Sequence, residues 1–232
     1  KDLEAAIQPG LDSVYIPKVE NANEIIEIEN NVKKLEEQAG IKAGSVKIDV
    51  LIESAEGLHN VDEILGSSSR IQVVSFGAED FSKNIGIEIS EDTSQAMLIP
   101  RMQIILAAKK NNVLPIGLMG SIANYNDLDN LQNNAVLSKK HGYVGASCVH
   151  PSNVDILNNS FSPNVESVKH AKKLIEAFEE AQKNGESAIN FEGKMVDVPH
   201  YENAKKVLHV HQSIQELEEH KKRERERFTN EV

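Results

Sequence analysis

The chain has 232 residues, 40% hydrophobic and 26% charged, enough for one sizeable core or two small ones and inconsistent with a disordered or fibrous protein. Thirty-six acidic against twenty-five basic residues leave a net charge of −11, which disfavours nucleic acid or an anionic membrane surface as a partner. With one cysteine, Cys148, and no run of 18 apolar residues, neither disulfide stapling nor a membrane span is expected, and a reducing cytoplasm fits best.

Short β-branched runs alternate with helix-like stretches over the first 150 residues, the pattern of a parallel sheet. The runs are Ser13 to Val19, Lys47 to Glu53, Ile71 to Phe76, Val113 to Gly117 and Tyr143 to His150. Between them Asn23 to Ala39, Asn60 to Leu65, Ser94 to Asn111 and Leu128 to His141 carry apolar residues at three- and four-residue steps, which predicts crossover helices. Asn60 reads as a cap, and Gly40 and Gly142 as stops.

Strand starts are spaced by 34, 24, 42 and 30 residues, close to the roughly 31 per unit that a (β/α)₈ TIM barrel of ~250 residues implies. Five βα units are visible, so three N-terminal units, or about 90 residues on the same arithmetic, are expected ahead of Lys1. An open doubly wound sheet and a chain that is a fragment are the alternatives. This stretch, residues 1–160, is expected to be the barrel part.

Beyond it, Ser162-Pro163 reads as an N-cap and N1 pair, and Val165, Val168, Ala171, Ile175 and Phe178 form the apolar stripe of a long helix ending near Gly185. Then come Ala188 to Phe191, a Gly193-Lys194 turn, and Val196 to Pro199 leading into a helix over Tyr201 to His211. Residues 161–210 form a C-terminal extension. From His211 onward six acidic and five basic side chains give a net −1, and 211–232 reads as a charged, solvated helical tail.

In a parallel barrel, functional groups collect where the strands end, because the loops there converge on one mouth. Glu20, Glu53 and Asp80 stand at that level, Asp80 in the short loop Gly77 to Asp80. Ile48, Val50 and Ile52 share one strand face toward the helices, so Asp49, Leu51 and Glu53 share the other, and Glu53 points into the mouth. Two carboxylates on adjacent strands suit a hard divalent cation, Mg²⁺ or Mn²⁺, whose remaining positions go to water or substrate. From spacing alone, one acid capping a helix and the other pairing with a lysine is equally open. His150 reads as a hydrogen-bonded wall residue, Cys148 as a buried core thiol, and Gly117 and Gly120 as only a loose phosphate cradle, since no nucleotide-binding glycine motif occurs. His209 and His211, two apart, face different sides of a helix.

Five segments then occur in order: YIPKVEN (Tyr15 to Asn21), LIESAEGLHN (Leu51 to Asn60), SFGAEDFSKNIG (Ser75 to Gly86), GASCVHPSNVDILNNSFSP (Gly145 to Pro163) and EGKMVDVPHYENA (Glu192 to Ala204). Together they resemble the signature segments of the HpcH/HpaI aldolase and citrate lyase β-subunit family, and GKMVDVP resembles its acyl-CoA thioester branch. The resemblance implies a (β/α)₈ barrel with a C-terminal extension, an Mg²⁺-dependent carbon–carbon lyase, and a homo-oligomer, trimer or hexamer. Its substrate would be a 3-hydroxyacyl-CoA such as malyl-, citramalyl- or citryl-CoA, with coenzyme A as part of the substrate and a 2-oxo acid as the other product. It puts the two metal carboxylates on Glu53 and Asp80, the substrate carboxylate near Gly77, Ala78 and Glu79, and a catalytic acid or base on Asp197, reaching a neighbouring subunit's mouth. A non-catalytic paralogue that binds acyl-CoA or a protein partner is the alternative. Three departures stand out: the family's arginine-bearing front strand has no counterpart, Pro115 to Asn124 lacks the acids relatives often carry, and Ala146 stands where relatives commonly have lysine.

Overall fold

A computed structural model describes the chain except residues 91–92, 121–125 and 231–232, and for 94 and 228–230 it describes the backbone alone. Two compact units divide it, Lys1–Ser160 and Phe161–Val232.

The first unit opens with a short helix α1 (Asp2–Ala6) and continues β1 (Ser13–Ile16), α2 (Ala22–Gln38), β2 (Lys47–Ile52), α3 (Ala55–His59), α4 (Val61–Gly66), β3 (Ile71–Phe76), α5 (Ala78–Ile85), α6 (Ser94–Lys110), β4 (Leu114–Ile116), α7 (Leu128–His141) and α8 (Val154–Phe161). The four strands are parallel in the order β1-β2-β3-β4. Chain order equals spatial order, so the strands described lack the reversal that defines a doubly wound sheet. They form an open parallel α/β sheet; the described residues contain no closed barrel.

The fifth expected run is a correction. Residues 143–150 make no strand: Ile116 and Gly145 form an isolated bridge, with Val144 N–H to Pro115 O and Gly117 N–H to Gly145 O at 2.9 Å each. Those two bonds use one side of the run, and no strand among the described residues pairs with its other side, so no ladder propagates. Cys148 is accordingly exposed rather than buried, its thiol bonded to His150 O at 3.1 Å.

Alternation in β2 sets the layers. Ile48, Val50 and Ile52 are fully buried and pack in one core with Ile25 and Val32 of α2, Ile64 and Leu65 of α4, and Ile104 and Ala108 of α6. Below the sheet, Arg70 ties three elements together. Its guanidinium forks onto Glu36 at 2.7 and 2.8 Å and donates to Val46 O at 2.9 Å, while Glu36 also accepts from Gly44 N–H and Val46 N–H at 2.9 Å each. Every oxygen of this buried pair is thus satisfied, the condition under which a buried charge is tolerated.

Two local expectations shift by a few residues. Asn60 precedes α4 but does not cap it through its side chain, which instead donates to Glu20 O and Glu56 Oε1. The cap that matters is Ser54, whose hydroxyl accepts from Gly57 N–H at 3.1 Å and starts α3. Pro115 to Gly120 of the segment noted above is described, while Ser121 to Asn124 lie outside the described residues.

In the second unit α9 (Val165–Lys183) is capped by Asn164, which accepts from Ser167 N–H at 2.7 Å. Ser162-Pro163 therefore precede the helix, because the asparagine side chain closes the first turn two residues later. A hairpin of β5 (Ala188–Phe191) and β6 (Lys194–Asp197) follows, its turn at Glu192-Gly193 rather than Gly193-Lys194. Both turn residues have positive φ, 50° and 79°, as a two-residue hairpin with right-handed strand twist requires. The last helix, α10 (Val198–Asn230), stacks Tyr201 on Phe178 of α9 with ring centroids 5.0 Å apart. Ala171, Leu174, Val196 and Ala204 complete this small core. The charged tail continues α10, with Glu218–Lys221 and Glu224–Arg227 pairs one turn apart; Glu231 and Val232 lie outside the described residues.

Candidate active site

Where β2 and β3 end, the open face of the sheet rises into a cavity of about 310 Å³. Glu53 and Leu51 come from β2 and its end, and Ser75 and Phe76 from β3. The Gly77 to Asp80 turn closes the top, and Gly117, Leu118, Gly120 and Ser147 form the far wall. Tyr15 of β1 completes the lining. Glu53 and Asp80 both line this cavity, as does the Gly77, Ala78 and Glu79 backbone. Glu20 and His150 do not: Glu20 donates its N–H to Glu24 Oε2 at 3.0 Å, and the His150 ring contacts Ser152 Oγ at 2.8 Å.

Asp80 does not sit in a loop. Residues 78–85 are helix α5, and Gly77 is its N-cap without a capping side chain. Gly77 ends the strand with its N–H on Ile52 O at 2.9 Å, and its carbonyl accepts from Phe81 N–H at 3.0 Å. The strand thus turns into the helix within one residue, placing the positive end of the helix dipole and Asp80 at the cavity rim.

Glu53 is held from two sides. Its Oε2 accepts from the Lys18 N–H at 3.1 Å, and Lys18 adopts the left-handed conformation, φ 54°, that aims that N–H. On the other side it lies flat against Gly77, where a Cβ would meet Glu53 Oε1 and Cγ at 2.6 Å. Burial pushes the Glu53 carboxyl above its ordinary value, the Lys18 N–H opposes this, and the adjacent Asp80 charge raises it further. Asp80 has a lysine partner, Lys83 at 3.5 Å, but that pair is one turn apart and half exposed.

Two carboxylates that repel across a shared cavity are what a hard dication would relieve. Among the described residues no group of three or more His, Cys, Asp or Glu is placed to hold a metal. Two carboxylates on one cavity would suit Mg²⁺, which keeps several waters and takes one or two carboxylates plus ligand oxygens. Glu53 and Asp80 fit that role.

Asp197 is the last residue of β6, before α10. His200 Nδ1 contacts its Oδ1 at 2.5 Å, and this partner holds the Asp197 carboxyl below its ordinary value.

The alternation that turns Glu53 into the cavity turns Tyr15 of β1 and Ser75 of β3 the same way, and their hydroxyls are hydrogen-bonded to each other on that face. Gly117, read from the sequence as part of a loose phosphate cradle, makes room instead for Tyr143: a Cβ there would sit 3.0 Å from that buried ring.

Residues 1–151 match the family described as HpcH/HpaI aldolase/citrate lyase. Citrate lyase subunit beta of Haemophilus influenzae is 32% identical over 207 residues, covering 89% of this chain and 70% of that one. L-malyl-CoA/beta-methylmalyl-CoA lyase of Cereibacter sphaeroides is 28% identical over 214 residues, covering 85% and 66%. Among solved structures, a citrate lyase of Burkholderia xenovorans superposes with a TM-score of 0.77 at 18% identity, covering 92% of this chain and 67% of that one. The protein CitE of Mycobacterium tuberculosis, in complex with magnesium, acetoacetate and coenzyme A, gives 0.66 at 24% identity, covering 85% and 67%.

Proposed function

The chain belongs to the HpcH/HpaI aldolase/citrate lyase family, and we propose that it is an Mg²⁺-dependent carbon–carbon lyase that cleaves or forms a 3-hydroxyacyl-CoA thioester of the malyl, citramalyl or citryl type. The observation that carries the reading is the Glu53–Asp80 pair: two mutually repelling carboxylates on one cavity wall, braced by Gly77 and the Lys18 N–H. Glu53 and Asp80 would hold the divalent ion, Mg²⁺ or Mn²⁺. When bound, that ion supplies Lewis-acid polarisation of the substrate's carbon–oxygen bond.

The chain's own groups then have separate tasks. The first turn of α5, with Gly77, Ala78 and Glu79, orients the carboxylate of the 2-oxo acid half through its N–H groups and dipole. In cleavage the hydroxyl proton leaves, the bond between the second and third carbons breaks, and its electron pair passes to the thioester-bearing carbon, which takes up a proton. Asp197 is assigned that proton. Held ionised by His200, it suits removal of that proton in the condensing direction; in cleavage the hydroxyl proton would pass to solvent water, and the Asp197 carboxylate would relay a solvent proton back to the carbon.

The reading includes closure of the parallel sheet into a (β/α)₈ barrel, residues 1–160 as its catalytic part, 161–210 as the extension bearing Asp197, and 211–232 as a tail. It also includes a cytoplasmic homo-oligomer, trimer or hexamer, in which Asp197 serves a neighbouring copy's cavity. No helix among the described residues is long and apolar enough to cross a membrane.

Release of free coenzyme A or a 2-oxo acid from malyl-, citramalyl- and citryl-CoA, assayed with Mg²⁺ and with chelator, tests the proposal. Turnover of at least one thioester that stops with chelator, and falls at least a hundredfold in Glu53→Ala and Asp80→Ala, is expected. Turnover unaffected by either substitution would refute it.

A further inference from the structure

The first unit buries Arg70 and Arg101, and it treats them differently. Arg70 forks onto Glu36, so its charge is matched. Arg101 of α6 is 4% exposed, and no carboxylate among the described residues stands against it. Its hydrogen bond runs to Met97 O, one turn back along its own helix, at 3.2 Å, and its guanidinium lies 5.4 Å from the centroid of the Phe76 ring. A carbonyl and a ring face attract the cation without neutralising it, and an arginine does not escape by losing its proton.

A second unsatisfied group stands nearby. Tyr143 is buried, and no described group hydrogen-bonds to its hydroxyl. Burial pushes the phenol up to about 12 while the Arg101 charge pulls the other way, so the hydroxyl keeps its proton and the two groups lie within electrostatic reach. Tyr143 packs where a side chain on Gly117 would stand, its hydroxyl 3.3 Å from that point, and Gly117 and Phe76 both line the cavity. A cation and an O–H donor thus flank the same wall from behind. Water could accept from the phenol, but only an acceptor with negative charge answers both groups.

We propose that Arg101 and Tyr143 form a binding site for one small monovalent anion such as chloride, seated behind the cavity wall made by Phe76 and Gly117. One cation sets the charge of the occupant: a monovalent anion balances Arg101, whereas a dianion would leave net negative charge buried. The chain's net charge of −11 works against loose anion binding elsewhere on the surface. The site does not depend on the lyase reading.

The test uses the full chain with chloride as the probe and gluconate as the replacement salt at constant ionic strength. Quadrupolar broadening of the chloride NMR signal should show saturable binding to wild type. Tyr143→Phe, which keeps the ring against Gly117, should weaken chloride at least about tenfold, the worth of one hydrogen bond to a charged group. Arg101→Met should abolish binding, and if it fails to fold, Tyr143→Phe alone decides. Sulfate at equal ionic strength should leave the broadening in place. Thermal unfolding gives a second readout: Tyr143→Phe should be at least as stable as wild type in gluconate, where the phenol gains nothing from an anion, and less stable than wild type in chloride. Absence of broadening in wild type, equal broadening in Tyr143→Phe, displacement by sulfate, or the same order of stability in both salts would overturn the site.

Discussion

The α-carbon of Gly77 and the side chain of Glu53 share space that admits no methyl group: an added Cβ would sit 2.6 Å from both Oε1 and Cγ. Backbone and carboxylate are thereby interlocked. Gly77 has an ordinary negative φ, −86°, so an alanine would be tolerated by the backbone and excluded only by the carboxylate. Gly77→Ala should therefore fold with a circular dichroism spectrum like wild type, push Glu53 off the Lys18 N–H, and weaken Mg²⁺ binding by about 10–100-fold, the range typical for lost ligand support. Calorimetric titration with Mg²⁺ reads this, and unaltered affinity would show that Glu53 is not the ligand.

Glu53 should also make Mg²⁺ binding sensitive to pH above the point at which an ordinary carboxylate titrates. Its folded-state pKa is raised above the ordinary 4.5, first by burial and then by Asp80. A raised acid binds its proton more tightly in the folded protein, so the metal-free fold gains from that proton at low pH and loses the gain as pH rises through the folded value. The cation needs the ionised form, so affinity should fall as pH is lowered, and the fall should begin at a higher pH than an ordinary carboxylate would give. In Asp80→Asn the midpoint of that fall should move to lower pH, although affinity is weaker overall. A wild-type midpoint no higher than that of Asp80→Asn would count against the pair.

Much of this arrangement was legible because β2 alternates without a break: Ile48, Val50 and Ile52 turn toward the helices, so Glu53 had to turn away. The same rule reaches Ser13 and Tyr15 in β1 and Val73 and Ser75 in β3, though a register shift at Ile48/Asp49 moves the pairing there by one residue. Helix α5 was hidden for another reason. Its eight residues show no start signal, since Gly77 offers no side chain to cap them, and GAED reads as a loop. The run over residues 143–150 has strand composition, but a strand exists only through its neighbours, and composition could not tell that one side would find a partner in β4 and the other none among the described residues. Cys148 was misplaced by the same inference. Nothing local in the sequence marks Lys18 as the residue whose left-handed backbone aims an N–H at Glu53.

Asp197 allows a prediction that separates chemistry from metal binding. Asp197→Asn retains shape and removes the proton site, so turnover should fall at least a hundredfold while Mg²⁺ affinity stays within about twofold. His200→Gln should lower turnover less, and should shift the acid limb of the pH–rate profile upward, because His200 is what holds the Asp197 carboxyl down. Equal loss of turnover and metal affinity in Asp197→Asn would refute its assigned role.

The Glu36–Arg70 pair sets the acid limit of the fold, with a sign opposite to that of Glu53. Two guanidinium bonds, first among the causes, together with the Gly44 and Val46 N–H groups bring the Glu36 carboxyl from 4.5 to about 2. A depressed acid stabilises the fold above its unfolded value, and the contribution is lost as pH falls from about 4.5 toward 2. Removing the carboxylate strands Arg70, whose remaining acidic neighbour, Glu29, is 3.5 Å away and partly exposed. Glu36→Ala should therefore cost ~3–5 kcal/mol at pH 7, the usual penalty for breaking a buried pair from one side. Denaturant unfolding of wild type and Glu36→Ala from pH 7 to 3 should show the gap between them narrowing below pH 4.5. A gap that stays constant to pH 3 would mean that the ion pair is not what acid removes first.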